Sequence, residues 1–172
     1  MFGRRLSWVR AGGALALAVP FSHAEAAPQS AAAGGNATII LPVSVTKTKD
    51  MVFGALSRTA AGTAVLEPNA DVLTTTGGVN ALGGSPHSAE FVGAAQSSSV
   101  VNIKVPNQPS TLTRVGGTET MTLNNFTLQG QSKRTLAKQS SFTFRVGGTL
   151  NVAATQVEGV YVGTFNVTVQ YP

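Results

Sequence analysis

The stretch that decides the fold class is residues 159–172, Gly159-Val160-Tyr161-Val162-Gly163-Thr164-Phe165-Asn166-Val167-Thr168-Val169-Gln170-Tyr171-Pro172. In its second half the apolar residues Phe165, Val167, Val169 and Tyr171 alternate with polar residues. Strict alternation is typical of a β-strand that buries one face and exposes the other. An apolar strand left unpaired would promote edge-to-edge aggregation, so we expect this strand to be paired.

The chain between residues 37 and 158 shows the same pattern in shorter runs. Ile39, Leu41, Val43 and Val45 occupy alternate positions of a predicted strand over 39–46, and Pro42, which has no N–H, places that strand at an edge or a bulge. Turns are predicted at the glycine pairs 77–78, 83–84, 116–117 and 147–148 and at the proline-containing segments 67–69 and 106–109. Further strands are predicted over 51–56, 63–66, 71–75, 89–92, 100–105, 121–128 and 142–146. Many short strands separated by such turns predict an all-β sandwich or barrel.

The first 26 residues have the features of a secretory signal peptide. Arg4, Arg5 and Arg10 are followed by an apolar run of 11 residues and by the small-residue site Ala24-Glu25-Ala26. A membrane-spanning helix needs about 18 or more apolar residues, so this run is too short for an anchor. We therefore predict a signal peptide over 1–26, a flexible extension over 27–36 and one β-sandwich domain over 37–172, with no transmembrane segment in the mature chain. The residues leave open whether export uses the general or the twin-arginine route.

Composition argues against several classes of function. The chain has no cysteine, so it has neither disulfides nor thiolate metal sites, and only 11% of its residues are charged. The net charge is +5, but the basic residues are scattered, with Lys133-Arg134 the only adjacent pair after residue 26. Proteins that bind nucleic acids cluster such residues, so no nucleic-acid partner is predicted. His87 is the only histidine after the signal and lies in a turn without a catalytic motif. We therefore predict no enzyme activity, no cofactor and no metal.

The spacing of the C-terminal residues resembles a known family. Gly159 lies fourteenth from the end of this sequence and Tyr171 is penultimate, as in the C-terminal signature of chaperone–usher pilus subunits. The chain is also similar to a secreted bacterial family known only as a domain of unknown function, over the stretches 45–54, 77–91 and 146–171. Membership of these families implies a protein secreted across the inner membrane to the periplasm, the cell surface or the exterior.

The resemblance to pilus subunits implies an architecture and partners. It implies an immunoglobulin-like sandwich that lacks its last strand and is completed by a strand from a neighbouring subunit. The implied partners are a periplasmic chaperone and identical or related subunits. The residues of the strand that would contact these partners are Gly159, Tyr161, Gly163, Phe165, Val167, Val169 and Tyr171.

The sequence departs from the pilus pattern at the extension. Residues 27–36 contain no bulky apolar side chain, and such a segment would make a poor donor strand. Either Ile39, Leu41, Val43 and Val45 form the donor, or donor exchange does not occur. The alternative function is a self-complete secreted sandwich that acts as an adhesin or as a carbohydrate- or protein-binding module. The only tryptophan, Trp8, lies in the signal, so aromatic material for a sugar-binding surface is scarce.

Overall fold

The computed structural model describes residues 35–138 and 140–172, and within them it contains eleven β-strands and no helix. The predicted all-β class is therefore confirmed. No helix among these residues has the length and apolar character that crossing a membrane would need. The predicted signal peptide and residues 27–34 of the predicted extension lie outside the described residues. The strands are β1 Ser44–Lys49, β2 Ala55–Leu66, β3 Leu73–Gly83, β4 Ala89–Ala94, β5 Val100–Lys104, β6 Ser110–Arg114, β7 Thr120–Leu128, β8 Lys133–Thr135, β9 Ser141–Val152, β10 Tyr161–Val162 and β11 Thr168–Gln170.

Eight of the strands form one antiparallel sheet built around β9. Its main path is β1-β4-β9-β7-β6-β10, while β2 also pairs with β9 and β3 pairs with β2. The first half of β9 pairs with β4, and its second half pairs with β2. The strand β7 pairs with β9 along the opposite side. The sheet therefore divides, on one side of β9, into a branch through β4 and a branch through β2. This division places β1 and the beginning of β2 at free edges.

The remaining strands form a small sheet, in the order β11-β5-β8, that packs against the large one. Ile103 of β5 lies in one apolar cluster with Phe91 and Phe144 of the large sheet, and Val169 of β11 packs against the same cluster. Phe91 and Phe144 are directly opposite in the register of β4 and β9, and their rings stack with centroids 5.2 Å apart. Two antiparallel sheets therefore enclose a common core, which is the arrangement of a sandwich.

Arg134 ties the small sheet to the large one. It extends from β8, donates hydrogen bonds to the carbonyl oxygens of Thr143 (2.7 Å) and Gln131 (3.1 Å), and lies 5.9 Å from the ring centre of Phe144. Its partly buried position lowers the pKa of the guanidinium. The side chain thus satisfies carbonyl groups that the short strand β8 leaves free.

Two glycine pairs predicted as turns lie instead inside strands. Gly77 and Gly78 belong to β3, and Gly147 and Gly148 belong to β9. A Cβ atom on Gly147 would lie 2.1 Å from the carbonyl oxygen of Leu66, because the backbone of β2 passes very close at the point where the sheet divides. The repeated sequence Arg-Val-Gly-Gly-Thr therefore has two roles, since at 114–118 it forms a hairpin turn and at 145–149 it forms the centre of a sheet.

The first predicted strand is displaced along the chain. We predicted a strand over 39–46, whereas β1 begins at Ser44, because its partner β4 ends at Ala94 directly opposite. Residues before Ser44 pass the end of β4 and have no strand to pair with among the described residues. The strands β6 and β8 were not predicted, because their short polar sequences show no alternation of apolar residues.

A partly buried polar cluster joins the turn after β2 to the start of β4. Asp71 adopts a positive φ of 53°, and its Oδ1 accepts hydrogen bonds from the backbone N–H (2.8 Å) and hydroxyl (2.5 Å) of Ser88. Arg145 Nη1 lies 3.0 Å from Asp71 Oδ2. The hydrogen bond from the Ser88 hydroxyl, supported by Arg145, lowers the pKa of Asp71 below its ordinary value of 3.8 despite the opposing effect of burial.

We expect this cluster to make stability depend on pH in the acid range. A carboxyl group whose pKa is lower in the folded state stabilises the fold above its ordinary pKa, and this contribution is lost as the pH falls through the folded value. The Asp71→Asn variant, whose asparagine also tolerates positive φ, should therefore show a flatter decline of unfolding free energy between pH 5 and pH 2 than the wild type. Urea denaturation at a series of pH values measures this decline.

The matched control for Asp71→Asn is Asp50→Asn, which makes the same charge change at an exposed ion pair with Lys47. Exposed ion pairs contribute little to stability, so this variant should follow the wild-type curve. Parallel curves for the wild type and Asp71→Asn would show that the cluster has no role in acid sensitivity.

Candidate binding groove beside the C-terminal segment

A large open groove lies between the N-terminal and C-terminal parts of the sandwich. One wall comes from residues 45–58 and the other from residues 156–167, and the volume between them is about 1340 Å³. We call this space the edge groove. Sites for small molecules usually have volumes of about 300–1,000 Å³. The edge groove is larger, and its size suits a segment of polypeptide.

The floor of the edge groove is the hydrophobic core itself. Phe53, Met121, Leu123, Leu150 and Val152 are buried members of one core cluster, and all of them line the groove. A floor of this kind binds apolar side chains, and full burial of one such side chain contributes about 1.5–3 kcal/mol. The groove therefore offers an apolar surface of the kind against which a further strand of the core would pack.

The C-terminal wall is divided, whereas we predicted one unbroken strand over 160–171. Tyr161–Val162 pairs with β6 of the large sheet, and Thr168–Gln170 pairs with β5 of the small sheet. The intervening residues 163–167 have no strand partner among the described residues. The chain passes from one sheet to the other at this point, so these five residues cannot continue either ladder. Unpaired backbone of this kind is able to accept an added strand.

The predicted contact residues separate into two groups. Gly159, Tyr161, Gly163, Phe165 and Val167 all line the edge groove. Val169 and Tyr171 do not line the groove, and their contacts stabilise the fold of their own chain.

The two remaining contact residues have partners within the chain. Val169 packs against the core between the sheets. The hydroxyl of Tyr171 accepts a hydrogen bond from the N–H of Gln96 (2.8 Å) and donates one to the carbonyl of Leu41 (2.7 Å). These two residues are therefore internal to the sandwich.

Polar contacts hold the C-terminal wall in position. Tyr161 donates its hydroxyl hydrogen to the carbonyl of Val157 (2.7 Å) and accepts a hydrogen bond from Gln156 Nε2 (2.7 Å). Arg58, at the other wall, donates to the carbonyls of Gln156 (2.6 Å) and Ala154 (2.8 Å). Arg58 therefore joins the two walls. The sequence alone gives no sign of this role of Arg58, because no local pattern shows which carbonyls it meets.

The backbone conformation at position 159 and the neighbouring side chain of Arg114 explain why this residue is glycine. Its φ is +147°, and a Cβ atom there would lie 2.8 Å from Cδ of Arg114. Arg114 in turn binds Glu119, with Nε 2.6 Å from Oε2, and this hydrogen bond lowers the pKa of Glu119 to about 2. A side chain at position 159 would displace Arg114 from this pair, so glycine is required here.

The N-terminal wall is only weakly paired. Val52 and His87 exchange two backbone hydrogen bonds of 2.8 and 2.9 Å in an isolated bridge. The strand predicted over 51–56 is interrupted at Gly54, whose φ is +75° and whose Cβ position would lie 2.3 Å from the carbonyl oxygen of Gly83. As a result, residues 51–54 form an irregular edge, and β2 begins only at Ala55.

The predicted donor residues also separate into two groups. Ile39 is 94% exposed and Leu41 is 54% exposed, so neither contributes to the core of its own chain. Val43 packs against a core cluster, and Val45 lies in β1 opposite Gly93. Only the side chains of Ile39 and Leu41 are therefore available to pack elsewhere, since the backbone of Leu41 is hydrogen-bonded within its own chain to Gln96 Oε1 (3.1 Å) and to the Tyr171 hydroxyl (2.7 Å).

The titratable side chains of the described residues are dispersed. Within residues 35–138 and 140–172, no three histidine, aspartate or glutamate side chains are grouped closely enough to hold a metal ion. The Nδ1 atom of His87 is buried without a hydrogen-bond partner in the described part of the chain. The edge groove thus remains the main structural feature available for function.

Comparison with known proteins places the chain in a family without assigning an activity. No curated protein and no solved structure matches the sequence at a significant level. The family model described as "Domain of unknown function (DUF4402)" matches residues 43–171. This match covers all eleven strands, including both walls of the edge groove. The chain therefore belongs to the DUF4402 family.

Proposed function

We propose that this protein is a non-enzymatic structural subunit of a bacterial cell-surface filament of the pilus type, assembled by strand complementation. The observation that supports the proposal best is the segment 163–167, which has no strand partner among the described residues and lies beside a groove lined by residues of the hydrophobic core. In this proposal the domain is an incomplete immunoglobulin-like sandwich. Its missing strand is supplied first by a periplasmic chaperone and then by another subunit.

The edge groove combines the two interactions that strand addition uses. Main-chain hydrogen bonds to residues 163–167 would provide affinity, and apolar side chains directed at the floor would set the register. An incoming strand points every second side chain toward the floor. It would pack against core residues such as Phe53 and Leu150, which line the groove.

The segment best suited to fill the groove is residues 38–42 of another copy. Ile39 and Leu41 occupy alternate positions, and both are exposed in their own chain. They have no role in the core of the subunit that carries them. Exposed apolar groups of this kind commonly mark interaction sites.

The assembly state of the purified protein tests this proposal. Light scattering after size exclusion should show a distribution of oligomers, and an SDS gel of unheated samples should show a ladder that collapses on boiling. Dissociation is slow because a whole buried strand must be withdrawn before two subunits separate. A monomer under all conditions, in both measurements, would contradict the proposal and favour the self-complete adhesin or binding module.

A further inference from the structure

The nine basic residues of the described chain fall into three groups with different surroundings. Four of them form ion pairs with carboxylates, namely Lys47, Lys49, Arg114 and Arg145. Arg58 and Arg134 donate to backbone carbonyls instead. The other three, Lys104, Lys133 and Lys138, form no ion pair within residues 35–138 and 140–172. All three lie on or beside the small sheet.

Acidic residues are missing from the same part of the chain. The stretches 91–118, 120–157 and 159–172 contain no aspartate or glutamate, and these stretches include every strand of the small sheet. The positive charge of this sheet is therefore not balanced by local carboxylates. It attracts anions most strongly at low ionic strength, where screening is weak.

The small sheet presents a mainly polar outer surface, which we call the lysine face. Val101 and Ile103 of β5 point inward and are buried, so the alternate residues point outward. The same alternation holds for Val169 in β11. The outward polar residues are Asn102, Lys104, Lys133, Thr135, Thr168 and Gln170, and Val100, opposite Thr135, is the one apolar residue among the outward positions of these three strands.

The strand register brings these side chains together. Asn102 lies between Lys133 on one side and Gln170 on the other, and Lys104 is opposite Thr168. Lys104 and Lys133 are diagonal neighbours on adjacent strands, which places such residues about 7–8 Å apart. Two ammonium groups are thus combined with amide and hydroxyl groups on one flat surface.

We propose that the lysine face binds an anionic polysaccharide whose sugars carry carboxylate groups. The lysines would pair with the carboxylates, while Asn102, Thr135, Thr168 and Gln170 have the donors and acceptors that sugar hydroxyls require. This site is separate from the edge groove, whose walls contain none of these residues.

The composition of the lysine face argues against other anionic partners. It has no aromatic residue on which the bases of single-stranded nucleic acids would stack. Its one outward apolar side chain, Val100, lies at the end of β5 opposite Thr135, so these three strands present neither the apolar centre that protein interfaces bury nor the group of apolar side chains that anchors a protein in a lipid surface. Hydrogen-bonding groups interleaved with ammonium groups are best matched by a charged, hydroxylated chain.

Titration calorimetry of the full-length protein with polygalacturonate oligomers tests this assignment. We expect binding to the wild type that weakens with added salt, and no binding of uncharged dextran. The double variant Lys104→Gln/Lys133→Gln should lose at least tenfold in affinity. The control variant Lys47→Gln/Lys49→Gln removes the same charge from β1 and should remain within twofold of the wild type.

Other outcomes would overturn the proposal. They are the absence of binding to the wild type, equal losses in the two double variants, or equal or tighter binding of single-stranded DNA of the same charge. The conservative variant Lys104→Arg/Lys133→Arg retains both positive charges and should bind within threefold of the wild type. A loss in that variant as large as in the glutamine variant would also contradict a role for charge at these positions.

Discussion

Replacing Ile39 and Leu41 together with aspartate should abolish SDS-resistant assembly while leaving the monomer folded. Both side chains are exposed in their own chain, so their replacement removes no core packing there. In another subunit, the same side chains would have to enter an apolar groove floored by buried residues such as Phe53 and Leu150. A carboxylate placed there without a partner is strongly unfavourable. We therefore expect complete loss of the ladder on unheated gels and a single monomer peak in light scattering.

The matched control for this variant is Val72→Asp/Val115→Asp. These valines are also exposed, at 51% and 59%, and neither lines the edge groove. The control adds the same charge, so it should assemble as the wild type does. Assembly of the Ile39→Asp/Leu41→Asp variant would show that another segment fills the groove. Loss of assembly in both variants would indicate that charge, and not the donor segment, is responsible.

The second large effect is expected at the contact between the two sheets. Phe144 is completely buried, and its ring packs between Phe91 and Phe142, with centroid distances of 5.2 and 6.1 Å. Truncating a buried phenylalanine to alanine costs about 3–5 kcal/mol, because burial is lost and a cavity remains. Since domains are stable by only about 5–15 kcal/mol, Phe144→Ala should remove a large fraction of the unfolding free energy.

Urea denaturation monitored by circular dichroism measures this loss. The exposed substitution Val72→Ala serves as the control and should change the unfolding free energy by less than about 0.5 kcal/mol. A loss below about 1 kcal/mol for Phe144→Ala would mean that the two sheets do not share a core in solution. The same variant should also lose the support that its ring provides beneath Arg134.

Two glycine pairs with the same local sequence show how far secondary structure can be predicted from local sequence patterns. The pair 116–117 forms a turn as predicted, whereas the pair 147–148 lies in the most central strand of the large sheet. Both have the same local sequence, Arg-Val-Gly-Gly-Thr. What distinguishes them is the carbonyl of Leu66, which approaches Gly147 too closely for any side chain. Leu66 is 81 residues earlier in the chain, so no local pattern could predict this approach.

The candidate groove shows the same limit. The alternation in residues 159–171 was sufficient to predict that Tyr161, Phe165 and Val167 face an apolar environment, and these residues do line the groove. It was not sufficient to show that the strand divides. Residues 161–162 and 168–170 have the same pattern, but they pair with strands of different sheets. The hydrogen bonds by which Arg58 joins the two walls go to the carbonyls of Ala154 and Gln156, which lie about 100 residues later in the chain.

The sequence by itself determined the fold class and, in the strands whose apolar residues alternate, the face that is buried, because the alternation of side chains in a strand is a local property of the chain. It also determined that the C-terminal segment is apolar on one side. Only the tertiary structure decided which strands pair, where the large sheet divides, and which five residues remain without a partner. It likewise decided that the three lysines without ion pairs among the described residues lie on or beside one sheet. These features arise from backbone pairing between distant segments, and such pairing depends on the position of the whole chain in space.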